Sequence, residues 1–249
     1  MFRWLKILPL ALAALAVAAL SIVAASCNSG TQPQARFVHA IQDGGELDIE
    51  VNGSKDFSGL SFGNFLPLSG YTNVTEGSDT IEGLNSGTST EVFSVSGVTF
   101  DFEIDYTVVA TGFVTNFSSV VIISTPDNTT EPANGTVSFR VINASPHSPP
   151  GGVDVYIDPI PVQAMGSAVI SGLAYQQVSE YVSLVFFPGN NSNNGNSGYE
   201  LYVTQAGKTT PIFSQYLGPA DNTIHTLVLT DIQGGNAMNP LAMELTDLD

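Results

Sequence analysis

Val153-Asp154-Val155-Tyr156-Ile157 places an aliphatic side chain at every second position, with Asp and Tyr between. Successive side chains of an extended strand point to opposite faces, so this spacing sets three aliphatics on a core and the other two residues toward water. Leu47-Asp48-Ile49-Glu50-Val51 has the same alternation, and Phe100-Asp101-Phe102-Glu103-Ile104-Asp105-Tyr106 reads as a third such strand. The runs are short and broken by Gly, Asn, Ser and Pro, while helical periodicity is hard to find beyond the N-terminus. The expected class is all-β, a sandwich or barrel.

Outward from these strands, the chain divides into two similar halves. Residues 124–135 hold two prolines and no apolar periodicity, and residues 125–135 read as a linker. On its two sides Arg36-Phe37-Val38-His39-Ala40 matches Arg140-Val141-Ile142-Asn143-Ala144, and Leu47-Asp48-Ile49 matches Val153-Asp154-Val155. Gly59-Leu60-Ser61-Phe62-Gly63 then matches Gly172-Leu173-Ala174-Tyr175-Gln176, and Tyr106-Thr107-Val108-Val109 matches His225-Thr226-Leu227-Val228. Four landmarks in one order indicate an internal duplication of a domain-sized unit. The expectation is two tandem sandwiches on a string, residues 35–124 and 136–249. The stretch 188–198, rich in Asn and Gly, reads as a mobile hairpin loop.

These landmarks resemble a family of extracytoplasmic bacterial domains, domain of unknown function 4397 (DUF4397). The second half carries its opening strand as Arg140-Val141-Ile142-Asn143-Ala144-Ser145-Pro146 and the next as Val153-Asp154-Val155-Tyr156-Ile157. The first half carries the late strand as Tyr106-Thr107-Val108-Val109-Ala110-Thr111-Gly112. It departs from the pattern at Ile41-Gln42-Asp43, where Ser-Pro is expected, and the second half has His225 in place of Tyr. The resemblance implies immunoglobulin-like sandwiches on secreted or surface proteins and supplies no catalytic residues.

The N-terminus is of another kind. Arg3 and Lys6 precede the apolar run Ile7–Leu20, and the small residues Ala24, Ala25 and Ser26 lead to Cys27, the one cysteine of the chain. Charge, apolar run and small residues in that order form an export signal over residues 1–26. A cysteine directly behind it reads as a lipidation site, with residues 27–34 as a tether and the lipid membrane as partner through the acylated thiol. Ala24 stands where a lipobox usually has Leu, Val or Ile, and Ala24-x-Ser26 also suits ordinary signal peptidase. An uncleaved anchor is a further alternative, since the run approaches a bilayer-spanning length. Asn28 is not the Asp that retains lipoproteins at the inner membrane of many Gram-negative bacteria, so the expected address in such a host is the outer membrane or cell surface.

Behind the signal, four basic residues (Arg36, Lys55, Arg140, Lys208) face 23 acidic ones, a net charge of about −19. Such a field repels nucleic acid, which is excluded as a partner. One cysteine permits no intramolecular disulfide, so stability rests on packing. No S-x-x-K motif occurs. His39, His147 and His225 are far apart in sequence; His39 aligns with Asn143, and His225 with Tyr106, which marks both as structural. No zinc-ligand spacing is present, and no catalytic, cofactor or metal residues are assigned. Calcium candidates are Asp101, Glu103 and Asp105 on the supposed strand, or Asp127 and Glu131 in the linker, and both groups are expected to be solvated. Asp48 and Asp154, equivalent in the two halves, are expected to hold turns or face water. Tyr156, Tyr175, Tyr199 and Tyr202 are expected in cores and on strand surfaces, with a sugar-stacking surface as the alternative. The functional expectation is a non-enzymatic exported lipoprotein, an interaction or structural module of the envelope with a surface protein or glycan as unknown partner. The alternative is an accessory protein binding carbohydrate or calcium at loop ends.

Overall fold

Among the described residues every regular element is a strand, as the alternating patterns require. The computed structural model describes residues 32–248, apart from residues 69, 116–118, 161–164, 188–197 and 240–241. The export signal, Cys27 and nearly all of the stretch 188–198 therefore lie outside the described residues. The first half comprises β1 (Gln34–Ile41), β2 (Leu47–Val51), β3 (Ser54–Leu60), β4 (Phe65–Leu66), β5 (Thr72–Asn73), β6 (Gly77–Asn85), β7 (Glu91–Phe100), β8 (Asp105–Gly112) and β9 (Val121–Pro126). The second comprises β10 (Thr136–Asn143), β11 (Val153–Pro159), β12 (Ile170–Leu173), β13 (Val182–Val185), β14 (Tyr199–Gln205), β15 (Pro211–Leu217), β16 (Ile224–Leu229) and β17 (Met243–Leu248).

Each half is a two-sheet sandwich, and the strand order repeats. The first pairs β4-β1-β8-β9, with β5 also on β1, against β3-β2-β6-β7; the second pairs β13-β10-β16-β17 against β12-β11-β14-β15. In both, the opening strand runs parallel to a late one: Arg36 lies opposite Thr107 on β1 and β8, and Arg140 opposite Thr226 on β10 and β16. The duplicated landmarks thus occupy equivalent places in three dimensions. Phe37, Leu47, Ile49, Ile81, Phe93, Phe100 and Val108 fill the first sandwich. Phe139, Val141, Val155, Leu201, Val203, Phe213 and Leu227 fill the second.

Two expectations are corrected. The run Phe100–Tyr106 is not one strand: β7 ends at Phe100, β8 begins at Asp105, and the residues between form the turn from one sheet to the other. Glu103 sits there at φ 60°, a left-handed conformation that no strand accepts. The flanking aromatics Phe100 and Tyr106 meet edge to face at 5.1 Å, so the alternation reflects two core anchors bracketing a turn.

The second correction concerns the string. Residues Gln32–Asp249 form one compact unit. A third apolar cluster joins Val38, Ala40, Val109 and Ile123 of the first half to Ile142, Ala144, Val228 and Leu245 of the second. The β1 sheet and the β10 sheet therefore face each other, and this unit has four layers. Those sheets are buried on both faces, which is why β1, β8, β10 and β16 are near-continuous buried runs. Strand β9 extends to Pro126, inside the supposed linker, and Gln34 of the tether is already the first residue of β1.

Candidate functional site

The seam between the sandwiches holds the densest set of buried charges. Arg36 and Arg140 stand at the same position of β1 and β10, each 1% exposed. Their side chains point away from their own cores, because odd and even strand positions face opposite ways. Arg36 Nε donates to Thr107 Oγ1 at 2.9 Å, its Nη1 donates to the Thr246 carbonyl at 2.7 Å, and Nη2 pairs with Asp247 of the second half. Arg140 repeats this in reverse: Nε to Thr226 Oγ1 at 2.8 Å, Nη1 to the Pro126 carbonyl at 2.7 Å, and Nη2 to Asp127. Each guanidinium also lies 4.9 Å from a tyrosine ring, Arg36 over Tyr71 and Arg140 over Tyr181. Tyr71 and Thr107 donate to Asp127 Oδ2, both at 2.7 Å, while Tyr181 and Thr226 donate to Asp247 Oδ2 at 2.6 and 2.7 Å. Burial, followed by the neighbouring carboxylate charge, pushes both tyrosine hydroxyls above their usual range.

Two cations and two anions cancel inside the seam, and every guanidinium nitrogen has an acceptor. A buried ion pair is tolerable only under those conditions. Asp127, one of the calcium candidates, is occupied by two guanidinium groups, its distance to Arg36 being 3.5 Å. Its companion Glu131 instead accepts from Asn222 at 3.3 Å. Asp101 and Glu103 lie in the β7–β8 turn, and Asp105 opens β8. Among the described residues no group of three or more His, Cys, Asp or Glu side chains is placed to hold a metal ion.

Asp48 and Asp154 each clamp two glycine amides. Asp48 accepts from Gly59 N at 2.9 Å and Gly87 N at 3.1 Å; Asp154 accepts from Gly172 N at 2.8 Å and Gly207 N at 2.7 Å. Gly59 and Gly172 take φ of 69° and 64°, so the glycine of the Gly-Leu landmark supplies both a left-handed backbone and the donated N–H. Asp48 gains Ser86 Oγ at 2.9 Å and Lys55 Nζ at 2.7 Å. The Lys55 ammonium above all, with the amides and hydroxyl helping against burial, holds the Asp48 carboxyl well below the usual range. Both aspartates hold turns.

The histidines are likewise tied to backbone or side chains. His39 Nε2 lies 2.8 Å from the Gly45 carbonyl and Nδ1 accepts from Ile41 N at 3.2 Å, which fixes the neutral tautomer; burial lowers its pKa. Its duplicate Asn143 does the same work with an amide, donating to the Leu173 carbonyl at 2.9 Å and accepting from Ser145 N at 3.2 Å. His225 stacks on Phe139 at 5.4 Å, with Nε2 2.7 Å from Thr223 Oγ1. Its Nδ1 is 3.1 Å from Glu244 Oε1 but out of line for a hydrogen bond. His147 Nδ1 lies 2.5 Å from Asp231 Oδ2, and Ser145 Oγ donates to the other oxygen of the same carboxylate. Serine, histidine and aspartate meet here, yet the serine is fully buried and bonded to the aspartate, so the order of a nucleophilic relay is not reproduced.

The four tyrosines separate. Tyr199 is in the second core, and Tyr175 lies at the seam with its hydroxyl 3.5 Å from Thr111 Oγ1. Tyr156 and Tyr202 face each other across β11 and β14, on the outer side of the sheet, and Tyr216 of β15 lies one row along. Sequence reading missed Tyr216, Tyr71, Tyr181 and Asp247. The available signal was the arginine set among apolar residues at one strand position in both halves.

A family model described as domain of unknown function (DUF4397) matches residues 33–156, from β1 through the whole first sandwich into β11. No curated protein matches the chain.

Proposed function

We propose, from the premise that the chain belongs to the DUF4397 family, that it is an exported lipoprotein. In this reading Cys27 carries the lipid, and the two sandwiches serve as one non-enzymatic interaction or structural module at the cell envelope. The second sandwich is then a second copy of the family's domain, packed on the first.

The observation that supports this best is the use made of the polar groups. Asp48, Asp127, Asp154, Asp231 and Asp247, together with His39, are engaged in fastening turns or joining the two halves. A general base or nucleophile needs a free, correctly placed lone pair; here each of these groups is already held in hydrogen bonds that fasten the fold. Charge, apolar run, small residues and a lone cysteine, in that order, support the anchor. The test is a mass spectrum of the N-terminus of the protein from its native host. A chain starting at Cys27 with diacylglycerol attached is the expected result; an unmodified Cys27 or a retained signal would refute the anchor.

A further inference from the structure

The β12-β11-β14-β15 sheet turns Val155, Leu201, Val203, Phe213 and Leu217 into the core. Its other face is outward. There Tyr156 lies opposite Tyr202 and Tyr202 opposite Ser214; in the adjoining row Asp158 lies opposite Glu200 and Glu200 opposite Tyr216. Tyr216 is 54% exposed and Ile212, on the same side of β15, 41% exposed. The Tyr216 ring lies against Gly198 and Gly218, where a Cβ would come within 3.1 and 2.9 Å of it, so both glycines let the ring rest on the backbone.

The duplicate shows that the fold does not require these rings. On β2, β6 and β7 the corresponding row is Glu50, Glu82 and Ser94, and the next contains Thr80 opposite Ser96. The two faces also treat their carboxylates differently. Glu50 and Glu82 are opposed, but Lys55 stands directly across from Glu50. Asp158 and Glu200 are opposed with only the Gly166 N–H, 3.0 Å from Asp158, as relief; among the described residues no ion pair includes either. Like charges directly across a strand pair are destabilising. The second face thus combines the rings of Tyr202 and Tyr216, Tyr156 beside them being buried, with an opposed pair of carboxylates that no cation pairs among the described residues.

We infer that this outer face of the second sandwich docks a cationic polypeptide segment, with Lys or Arg side chains laid over Tyr202 and Tyr216 and paired with Asp158 and Glu200. The molecule binds its own cations with the same groups: Arg36 sits over Tyr71 and pairs with Asp247, and Arg140 sits over Tyr181 and pairs with Asp127. A ring face and a carboxylate together hold a guanidinium through its charge and its planar donors. The net charge of the exported chain, about −19, draws such a partner in. This inference deepens the reading of the protein as an interaction module, and rests on it.

The test is a titration of the full exported chain with a fluorescent peptide of alternating Arg and Gly-Ser units, followed by anisotropy. Salt is kept at physiological strength, which screens exposed charges beyond about 8 Å. Glu200→Gln and Tyr216→Ser are each expected to weaken binding about fivefold. Glu50→Gln and Glu82→Gln on the duplicate face are expected to change it less than about twofold. Glu200→Gln should also raise Tm, because it removes an opposed like charge, so lost binding cannot come from lost folding. Equal weakening by all four variants would reduce the effect to net charge and overturn the proposal. So would unchanged binding in the Glu200 and Tyr216 variants, or capture of neutral oligosaccharides in place of the peptide. The mass of the N-terminus is independent of this titration, so the anchor and the docking face fail separately.

Discussion

Asp48 shows how a single carboxylate sets a local shape. It accepts from two backbone amides, a hydroxyl and an ammonium, which come from β3 and from the turn between β6 and β7. Replacing it by alanine strands those donors, and each unsatisfied buried group costs about 1–3 kcal/mol. Asp48→Ala is therefore expected to lower Tm by roughly 5–15 °C in a domain pair of this size. The same residue gives a pH dependence of definite sign. Its folded pKa is depressed below the ordinary 3.8, chiefly by Lys55. The stabilisation is complete above that ordinary value and is lost as pH falls toward the folded one. In a series of melts from neutral to strongly acidic pH, the wild type should lose Tm more steeply than Asp48→Asn. Parallel curves would show that the clamp does not titrate with folding.

At the scale of the element, the strands of the seam differ from the outer ones in what their sequences disclose. β2 and β11 alternate plainly, because one face meets a core and the other begins with the turn-holding aspartate, and both were legible. β1, β8, β10 and β16 are buried on both faces, and the second face goes to a neighbour no local pattern specifies. The partner of Arg36 lies 211 residues away, at Asp247. Only the recurrence of arginine at one position in both halves hinted at it. The turn at 101–104 was hidden for the opposite reason: its carboxylates happened to fall between aromatics at strand spacing. Ala40 and Ala144 make a further point about the seam. Both are fully buried in the shared cluster, and Ala144 also offers its carbonyl to Thr111 Oγ1 at 2.6 Å. Small residues let the two sheets approach there. Ala144→Leu should overpack the seam and cost about 1–3 kcal/mol, whereas the same enlargement at the exposed Ser214 should be nearly neutral in a denaturant melt.

For the whole molecule, the decisive question is whether two sandwiches unfold as one. Beads on a flexible linker would melt independently, each with its own enthalpy. Here the layers share an apolar cluster, exchange arginine–aspartate pairs in both directions, and hold Asp127 inside what would otherwise be the linker. At the other end of the seam Gln42 donates to the Gly235 carbonyl, and Gly234 N donates to the Gln42 carbonyl at 2.9 Å. Opening the seam without unfolding would expose four buried charges and break the Arg36–Asp247 and Arg140–Asp127 pairs. Loss of one member of such a pair costs about 3–5 kcal/mol. A separated pair of intact sandwiches is therefore a high-energy state, and heating should pass directly from folded to unfolded. Calorimetry of the exported chain should give one transition, with calorimetric and van't Hoff enthalpies in agreement. Arg140→Met should shift that single transition down by about 10 °C. Two resolved transitions in the wild type, or a shift in only one half by hydrogen exchange, would mean that the seam does not couple them. A coupled pair gives its two outer faces a fixed separation and orientation, so the tyrosine-bearing face is presented at a constant geometry by the three layers behind it.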